Sequence, residues 1–245
     1  MYPVVAIAGF FVFWEAAVRL FHIPSYLLPM PSEIFAEIID NAGVLARNGQ
    51  ATLLVILASF VTSVAVGVPL ALLISFSPFA RRTIYPLIVF SQMIPKIAIA
   101  PLFVIWFGFG FTPKLLIAVL ISFFAVVIQS IVGFTSLRPQ PVRVAQSMGA
   151  TAWDLFIKVR LPHALPNIFA GLKMAMASSA IGAIVGEFIA SQQGLGYLVL
   201  VANGQMNTKL AFAGMMILSV MGIVLYFIVE LVERSTTGWR TTQRN

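Results

Sequence analysis

Four polar side chains stand in stretches that are otherwise apolar enough to cross a bilayer: Gln92, Lys96, Gln129 and Glu187. A charge at mid-membrane costs about 2.5–3.5 kcal/mol on insertion scales, so it faces a protein interior or a cavity. These four are candidates to line a translocation path. The structural alternative is equally concrete: Glu187 near an outer interface, and Lys96 capping carbonyls freed by Pro101. Other chemistry has no foothold. His22 and His163 lie far apart without a ligand cluster, and zero cysteines exclude thiolate metal sites and structural disulfides. The nearest fragment to a phosphate-binding loop, residues 204–209, lacks its second glycine. Gly108-Phe109-Gly110 is followed by Pro113 instead of the third glycine of a dinucleotide fingerprint. The chain is therefore expected to hold no metal and no cofactor, and to be no enzyme.

A second polar set lies between spans. Residues 138–166 read RPQPVRVAQSMGATAWDLFIKVRLPHALP and hold four of the fifteen basic residues. Thr151-Ala152-Trp153-Asp154 has the form of a capping box, a hydroxyl to accept an N–H and an acid three residues on to reach back. Asp154 suits the positive end of a helix dipole, and Lys158 and Arg160 the negative end. Trp153, Phe156, Ile157 and Arg160 fall three or four apart, on one face of a helix of about two and a half turns. Pro162 is expected to stop that helix, because Leu161 before it is pushed out of the α region. Upstream, residues 142–148 read as another short helical turn, and Gly149 permits a sharp bend between the two. The prediction is two short helices with an aromatic face that few neighbours can bury. An interfacial helix on lipid headgroups and a docking site for a partner both fit that pattern.

The elements around these residues are set by composition. With 245 residues, 60% apolar and 9% charged, the chain is far from the roughly 25% charged of soluble proteins. It reads as an all-α integral membrane protein, a single transmembrane domain over 1–245 without a soluble domain. Six spans are expected at about 3–21, 51–76, 84–107, 115–137, 166–190 and 210–229, at about 1.5 Å per residue against a core of roughly 30 Å. The first holds Glu15 and Arg19 four apart, a pair on one face, and lacks the basic start and cleavage site of a signal peptide. In the third, Pro95-Lys96 and then Pro101 break the helix, which a bilayer tolerates only beside protein or a watered cavity. Between the first two spans, Ser32 can cap a short helix striped by Ile34, Ile38, Phe35 and Ile39, an amphipathic helix on the outer face. Residues 191–209 read as an outer loop containing Gly194-Leu195-Gly196.

Orientation follows from charge. Placing 138–165 inside puts Arg81, Arg82, Arg138, Arg143, Lys158, Arg160, Arg234, Arg240 and Arg244 there, nine basic residues. The opposite loops hold three, Arg47, Lys114 and Lys209. The positive-inside rule then places both termini and this loop in the cytoplasm, and explains the net charge of +7 without nucleic acid. Gly182 and Gly186, with Ala175, Ser179 and Ala183 on the adjoining face, let another backbone approach closely. A homodimer seam and an intrachain contact would use that face equally well.

The 138–165 loop resembles the cytoplasmic coupling motif of ABC-importer permeases: Glu-Ala-Ala, three residues, Gly, nine residues, Ile, any residue, Leu-Pro. Ala145 fills the third position, Gly149 the glycine, Val159 the Ile and Leu161-Pro162 the end. Arg143 stands where the family's Glu usually is, and Val144 replaces the first Ala. Segments 95–102, 106–110, 186–188 and 194–197 resemble the branch serving sulfonate, nitrate, taurine, thiamine-precursor and riboflavin importers. The resemblance implies the six-span type I permease fold and a homodimer with the path between subunits. It also implies two cytoplasmic ABC ATPase subunits that bind ATP and magnesium, and a periplasmic or lipid-anchored substrate-binding protein. ATPase coupling would fall to Ala145, Gly149, Ala150, Thr151, Trp153, Asp154, Phe156, Ile157, Leu161 and Pro162 in a bacterial inner membrane. The substrate is read as a pyrimidine- or flavin-type vitamin precursor, with an organosulfonate, taurine or nitrate as the alternative. The competing class is a transporter or channel that works without ATP, with Lys96 and Glu187 as charge relays.

Overall fold

The structure is a computed structural model that describes residues 2–237, with side chains from residue 5 onward, so Arg240 and Arg244 lie outside the described residues. All of its regular elements are helical: α1 (Tyr2–Leu20), α2 (Pro31–Asp40), α3 (Ala42–Phe76), α4 (Pro78–Ser91), α5 (Lys96–Phe107), α6 (Phe111–Thr135) and α7 (Pro139–Ser147). There follow α8 (Ala152–Leu155), a π-helical turn (Phe156–Arg160), α9 (Leu161–Ala190), α10 (Leu195–Gly204) and α11 (Thr208–Thr237). Among the described residues, four helices are long and apolar enough to cross a membrane: Ala42–Phe76, Phe111–Thr135, the unbroken run Ala152–Ala190, and Thr208–Thr237. The α4–α5 pair makes a fifth if counted as one span, although it bends by 92°. The protein is a multi-pass membrane protein.

These helices overrun the apolar windows that announce them. α3 begins at Ala42, well before the apolar run at 51, and α11 continues past 229 to Thr237. Hydropathy marks the part that meets hydrocarbon, while Arg, Asn, Gln and Glu continue a helix beyond it at little cost. The third apolar segment is a different case. Its helix starts at Pro78, where Ser77 accepts from the Ala80 amide at 3.2 Å, and stops at Gln92–Pro95. Pro95 has no N–H to continue the ladder, so α5 restarts at Lys96 in a new direction.

The core sits between α3, α6, α9 and α11, with Val55, Ile56, Ala118, Phe169, Met176, Ala183, Leu225 and Val229 in one cluster. The closest seam is α6 against α9, and glycines create it. A Cβ on Gly182 would stand 2.6 Å from Ala118 Cα, and one on Gly186 3.0 Å from Lys114 Cα. One on Gly171 would stand 2.7 Å from Gln129 Cβ, and on α6 one at Gly133 2.9 Å from the Ala164 carbonyl. The small-residue face of the fifth apolar segment is therefore an intrachain contact. α3 joins the same unit through a buried Ser63–Ser122 hydroxyl pair at 2.7 Å.

α1 and α2 attach at one side. Glu15 accepts from the Ser32 hydroxyl at 2.8 Å and the Ser32 amide at 3.1 Å, besides pairing with Arg19. Ser32 is thus a partner of α1 and not the expected cap of α2, which begins one residue earlier at Pro31 with Met30 before it. Most of the α2 stripe is used: Ile34 is buried, Ile38 packs beside it and Phe35 meets the Phe11 ring of α1 at 6.3 Å, while Ile39 faces outward. A Glu33–Lys209 ion pair at 2.7 Å ties α2 to the start of α11.

The seam predicts a contrast. Overpacking a close-packed site costs about 1–3 kcal/mol, which in a chain of this size lowers the melting temperature by roughly 2–4 °C per kcal/mol. Gly182→Val is expected to lower the apparent Tm in detergent by several degrees. Gly43→Ala, where a Cβ meets nothing within 4 Å, is expected not to lower it.

Candidate functional site

α7 ends in a Schellman motif: the Gly149 amide donates to the Gln146 carbonyl at 3.0 Å and the Ala150 amide to the Ala145 carbonyl at 3.0 Å. Gly149 has φ +81°, a conformation that costs other L-residues roughly 1–2 kcal/mol. The chain then turns directly into α8. Thr151 caps it reciprocally, accepting from the Asp154 amide at 3.2 Å and donating its hydroxyl to Asp154 Oδ2 at 2.5 Å. Asp154 also takes the Thr151 amide at 3.3 Å and the Lys158 ammonium at 2.7 Å. The Lys158 ammonium, then the Thr151 donors, hold the Asp154 carboxyl down at about 2.

Pro162 does not stop this helix. Leu161 has φ −63° and ψ −49°, and the helix continues through Pro162 and Pro166 to Ala190. A π-turn directly precedes this stretch. At Phe156–Arg160 the ladder shifts to i→i+5, with the Leu161 amide bonding the Phe156 carbonyl. In a regular α-turn a proline ring clashes with the carbonyl four residues back, and a widened turn relieves that clash. The expected pair of short helices is therefore one short helix, α7, followed by the N-terminal end of a 39-residue helix.

The aromatic face divides in two. Trp153 and Ile157 are 69% and 41% exposed, as the spacing predicts. Phe156 turns inward, stacking on Phe134 at 6.3 Å and meeting Phe76 edge-on at 5.9 Å, with Trp153 stacked on its other side at 6.0 Å. Arg160 lies over the Phe76 ring at 4.9 Å instead of sharing the exposed face. These rings bed the loop on the ends of α3 and α6. Val144 and Met148 of α7 are also bare, 58% and 82% exposed, and were not singled out by spacing, because they lie on a different helix from Trp153. Below Trp153 opens a cleft of about 480 Å³ lined by Leu72, Phe76, Gln146, Leu155, Phe156 and Arg160 among others. Arg143 is exposed and, among the described residues, pairs with no carboxylate.

The four polar span residues do not converge. Gln92 is exposed at the α4–α5 break, and Lys96 begins α5 with its ammonium 4.3 Å from the Phe124 ring centre. Gln129 reaches Met174 on α9, Nε2 to Sδ at 3.7 Å. Glu187 is fully buried and accepts from the Thr52 hydroxyl at 2.8 Å and the Gly196 amide at 2.8 Å. It faces the 191–196 turn and no open cavity. Lys114, read as a loop residue, is 2% exposed and donates to Ser191 Oγ at 3.0 Å. The segment read as a loop at 191–209 contains α10. The described residues hold no cluster of metal-ligating side chains.

A long capped helix is thus bedded on its own bundle, with Trp153 and Ile157 bare near its start. Residues 63–238 match the family described as binding-protein-dependent transport system inner membrane component. The chain belongs to this family. It is an ABC transporter permease: it is 35% identical over 93% of its length, and 93% of the relative's, to a probable ABC transporter permease of Haemophilus influenzae. It is also 35% identical to the formylaminopyrimidine transport permease ThiX of Halalkalibacterium halodurans, over 95% of this chain and 93% of that one. With the riboflavin permease RibX of Chloroflexus aurantiacus it shares 33% identity, over 94% and 87%. In fold the permease resembles a chain of the inward-facing MetNI methionine ABC transporter, at a TM-score of 0.68 and 17% identity, covering 79% of this chain and 96% of that one.

The cap is testable. Replacing an N-cap Thr by Ala costs roughly 0.5–2 kcal/mol, so Thr151→Ala is expected to speed amide hydrogen exchange across 151–156 severalfold. The Asp154 carboxyl is depressed in the fold, so its contribution is complete above its unfolded value near 4 and is lost as pH falls through about 2. The wild-type exchange pattern, corrected for intrinsic rates, is therefore expected to be the same at pH 5 and pH 8.

Proposed function

We propose that this permease forms the membrane path of an ABC importer for a small polar solute, with the 138–165 loop as the docking site for a separate ATPase. The observation that carries this reading is the exposure of Trp153 and Ile157 on a 39-residue helix fixed by a cap, a π-turn and stacked rings, with Val144 and Met148 exposed just before it. Family membership supports the role, and the sequence carries no nucleotide-binding motif, which fits ATP hydrolysis on a partner. In this reading six spans cross the membrane: α1, α3, the bent α4–α5 pair, α6, α9 and α11, with α2 lying on the periplasmic face. The arginines at 81, 82, 138, 143 and 160 share the loop's side, which supports a cytoplasmic loop and cytoplasmic termini. Two copies would enclose the path, two ATPases would grip the two loops, and a binding protein would deliver substrate from outside. ATP-driven closure of the ATPases would draw the loops together and rock the spans as rigid bodies.

Within the loop, Trp153 and Ile157 touch the ATPase, while Phe156, Leu161 and Pro162 hold them in place from behind. Gln92 and Lys96 at the α4–α5 break are the path residues the geometry supports best, since a 92° break in apolar sequence needs a protein or water-lined surface. As substrate we favour a pyrimidine- or flavin-type vitamin precursor, because the relatives at 35% and 33% identity carry those names. An organosulfonate, taurine or nitrate is the second reading, favoured by Lys96, whose ammonium meets no carboxylate among the described residues.

Truncating a central interface aromatic costs about 2 kcal/mol or more, roughly thirtyfold in affinity. Trp153→Ala is expected to weaken ATPase binding by that factor in detergent while leaving the permease folded; unchanged co-purification would remove the loop from the interface. Thermal-shift screening of the cognate binding protein against aminopyrimidines, flavins and sulfonates decides the substrate. Stabilisation by a sulfonate alone would overturn the vitamin-precursor reading.

A further inference from the structure

The N-terminus of α10 is held by side chains from two other helices. The Gly194 amide donates to Asn48 Oδ1, the Leu195 amide to Thr52 Oγ1 and the Gly196 amide to Glu187 Oε2, each at 2.8 Å. Three successive donors that a helix start leaves open are thus satisfied by α3 and α9 together. Thr52 Oγ1 lies 2.8 and 3.0 Å from the two Glu187 oxygens, so one hydroxyl joins all three helices. The backbone is shaped to this carboxylate: Gly194 has φ +115°, and a Cβ there would lie 2.2 Å from Glu187 Cδ. α6 enters from the other side, where buried Lys114 holds Ser191 and the Gly110 amide reaches the last carbonyl of α9, Ala190, at 3.1 Å.

A carboxylate without exposure, spent on the Gly196 amide and the Thr52 hydroxyl, does not meet a solute. It sits three residues from the outer end of the same unbroken helix whose inner end is α8, about 50 Å away at roughly 1.5 Å per residue. We propose that Glu187 is a positioning residue: it is the latch by which movement of the coupling loop, carried along α9, is passed to α10 and the 191–196 turn at the outer mouth. This rests on the importer reading above and goes beyond it, because it takes Glu187 off the path and makes α10 a moving part of the outer gate. Asn48 and Thr52, four apart on α3, complete the latch.

The chain has no cysteine, so Gln193→Cys in the exposed turn supplies a single thiol. The full complex with its ATPase is reconstituted in liposomes, and labelling of that thiol is compared without nucleotide and after vanadate trapping with ATP. An at least fivefold difference between the two states is expected in the parent and in Thr52→Ser, which keeps the hydroxyl. In Thr52→Val, of nearly the same shape, and in Glu187→Gln, the two states are expected to agree within twofold. Should Glu187→Gln fail to insert, Thr52→Val carries the test alone. A state difference as large in Thr52→Val as in the parent would overturn the latch and leave Glu187 a local fold residue. Assembly of the parent with an ATPase and its vanadate-sensitive ATP hydrolysis are measured in the same preparation. Their absence would instead overturn the importer reading.

Discussion

Everything in this permease depends on how closely α6 and α9 approach. Lipid gives two apolar helices no hydrophobic reason to associate, so their contact must come from packing and from polar ties. Glycines at 133, 171, 182 and 186 bring backbone within reach of backbone along most of both helices. Each further function is mounted on that pair. The aromatic bed of the 138–165 loop uses Phe134 from α6 and Phe156 just before α9, and Lys114 and Glu187 occupy the opposite ends of the same two helices. α3 and α11 then close the core around a rigid centre, and the Lys173–Glu233 pair at 2.7 Å fastens α11 to α9.

Much of this was readable because local chemistry and fold agree. Gly149 and the Thr151–Asp154 box do in the structure what their residue types dictate, since Schellman ends and capping boxes involve only neighbours in sequence. The apolar windows located the long helices for the same reason. The break at 92–95 was legible from Pro95, although its 92° angle was not, since proline removes a bond without choosing a direction.

What was not legible depends on partners distant in sequence. Pro162 reads as a helix stop under nearest-neighbour rules, but the helix passes through it just after a widened turn. Phe156 sits at the right spacing to be exposed, but Phe76 and Phe134, 80 and 22 positions away, claim it. Glu187 looked like a residue facing a path because a buried carboxylate demands donors, and no pattern shows that Thr52 and Gly196 supply them. α10 was hidden by its flanking glycines, which read as turn signals although they serve its start and its end.

The π-turn has one more consequence. A single extra residue in a helix of 3.6 per turn advances every later side chain by about 100° around the axis. The angular setting of Trp153 and Ile157 relative to the glycines of α9 is therefore a matter of phase, fixed by one widened turn. In a swivelling loop, the direction of the bare strip would be averaged away. In this helix it is indexed to the bundle, so the bare residues keep a fixed direction relative to the α6–α9 seam.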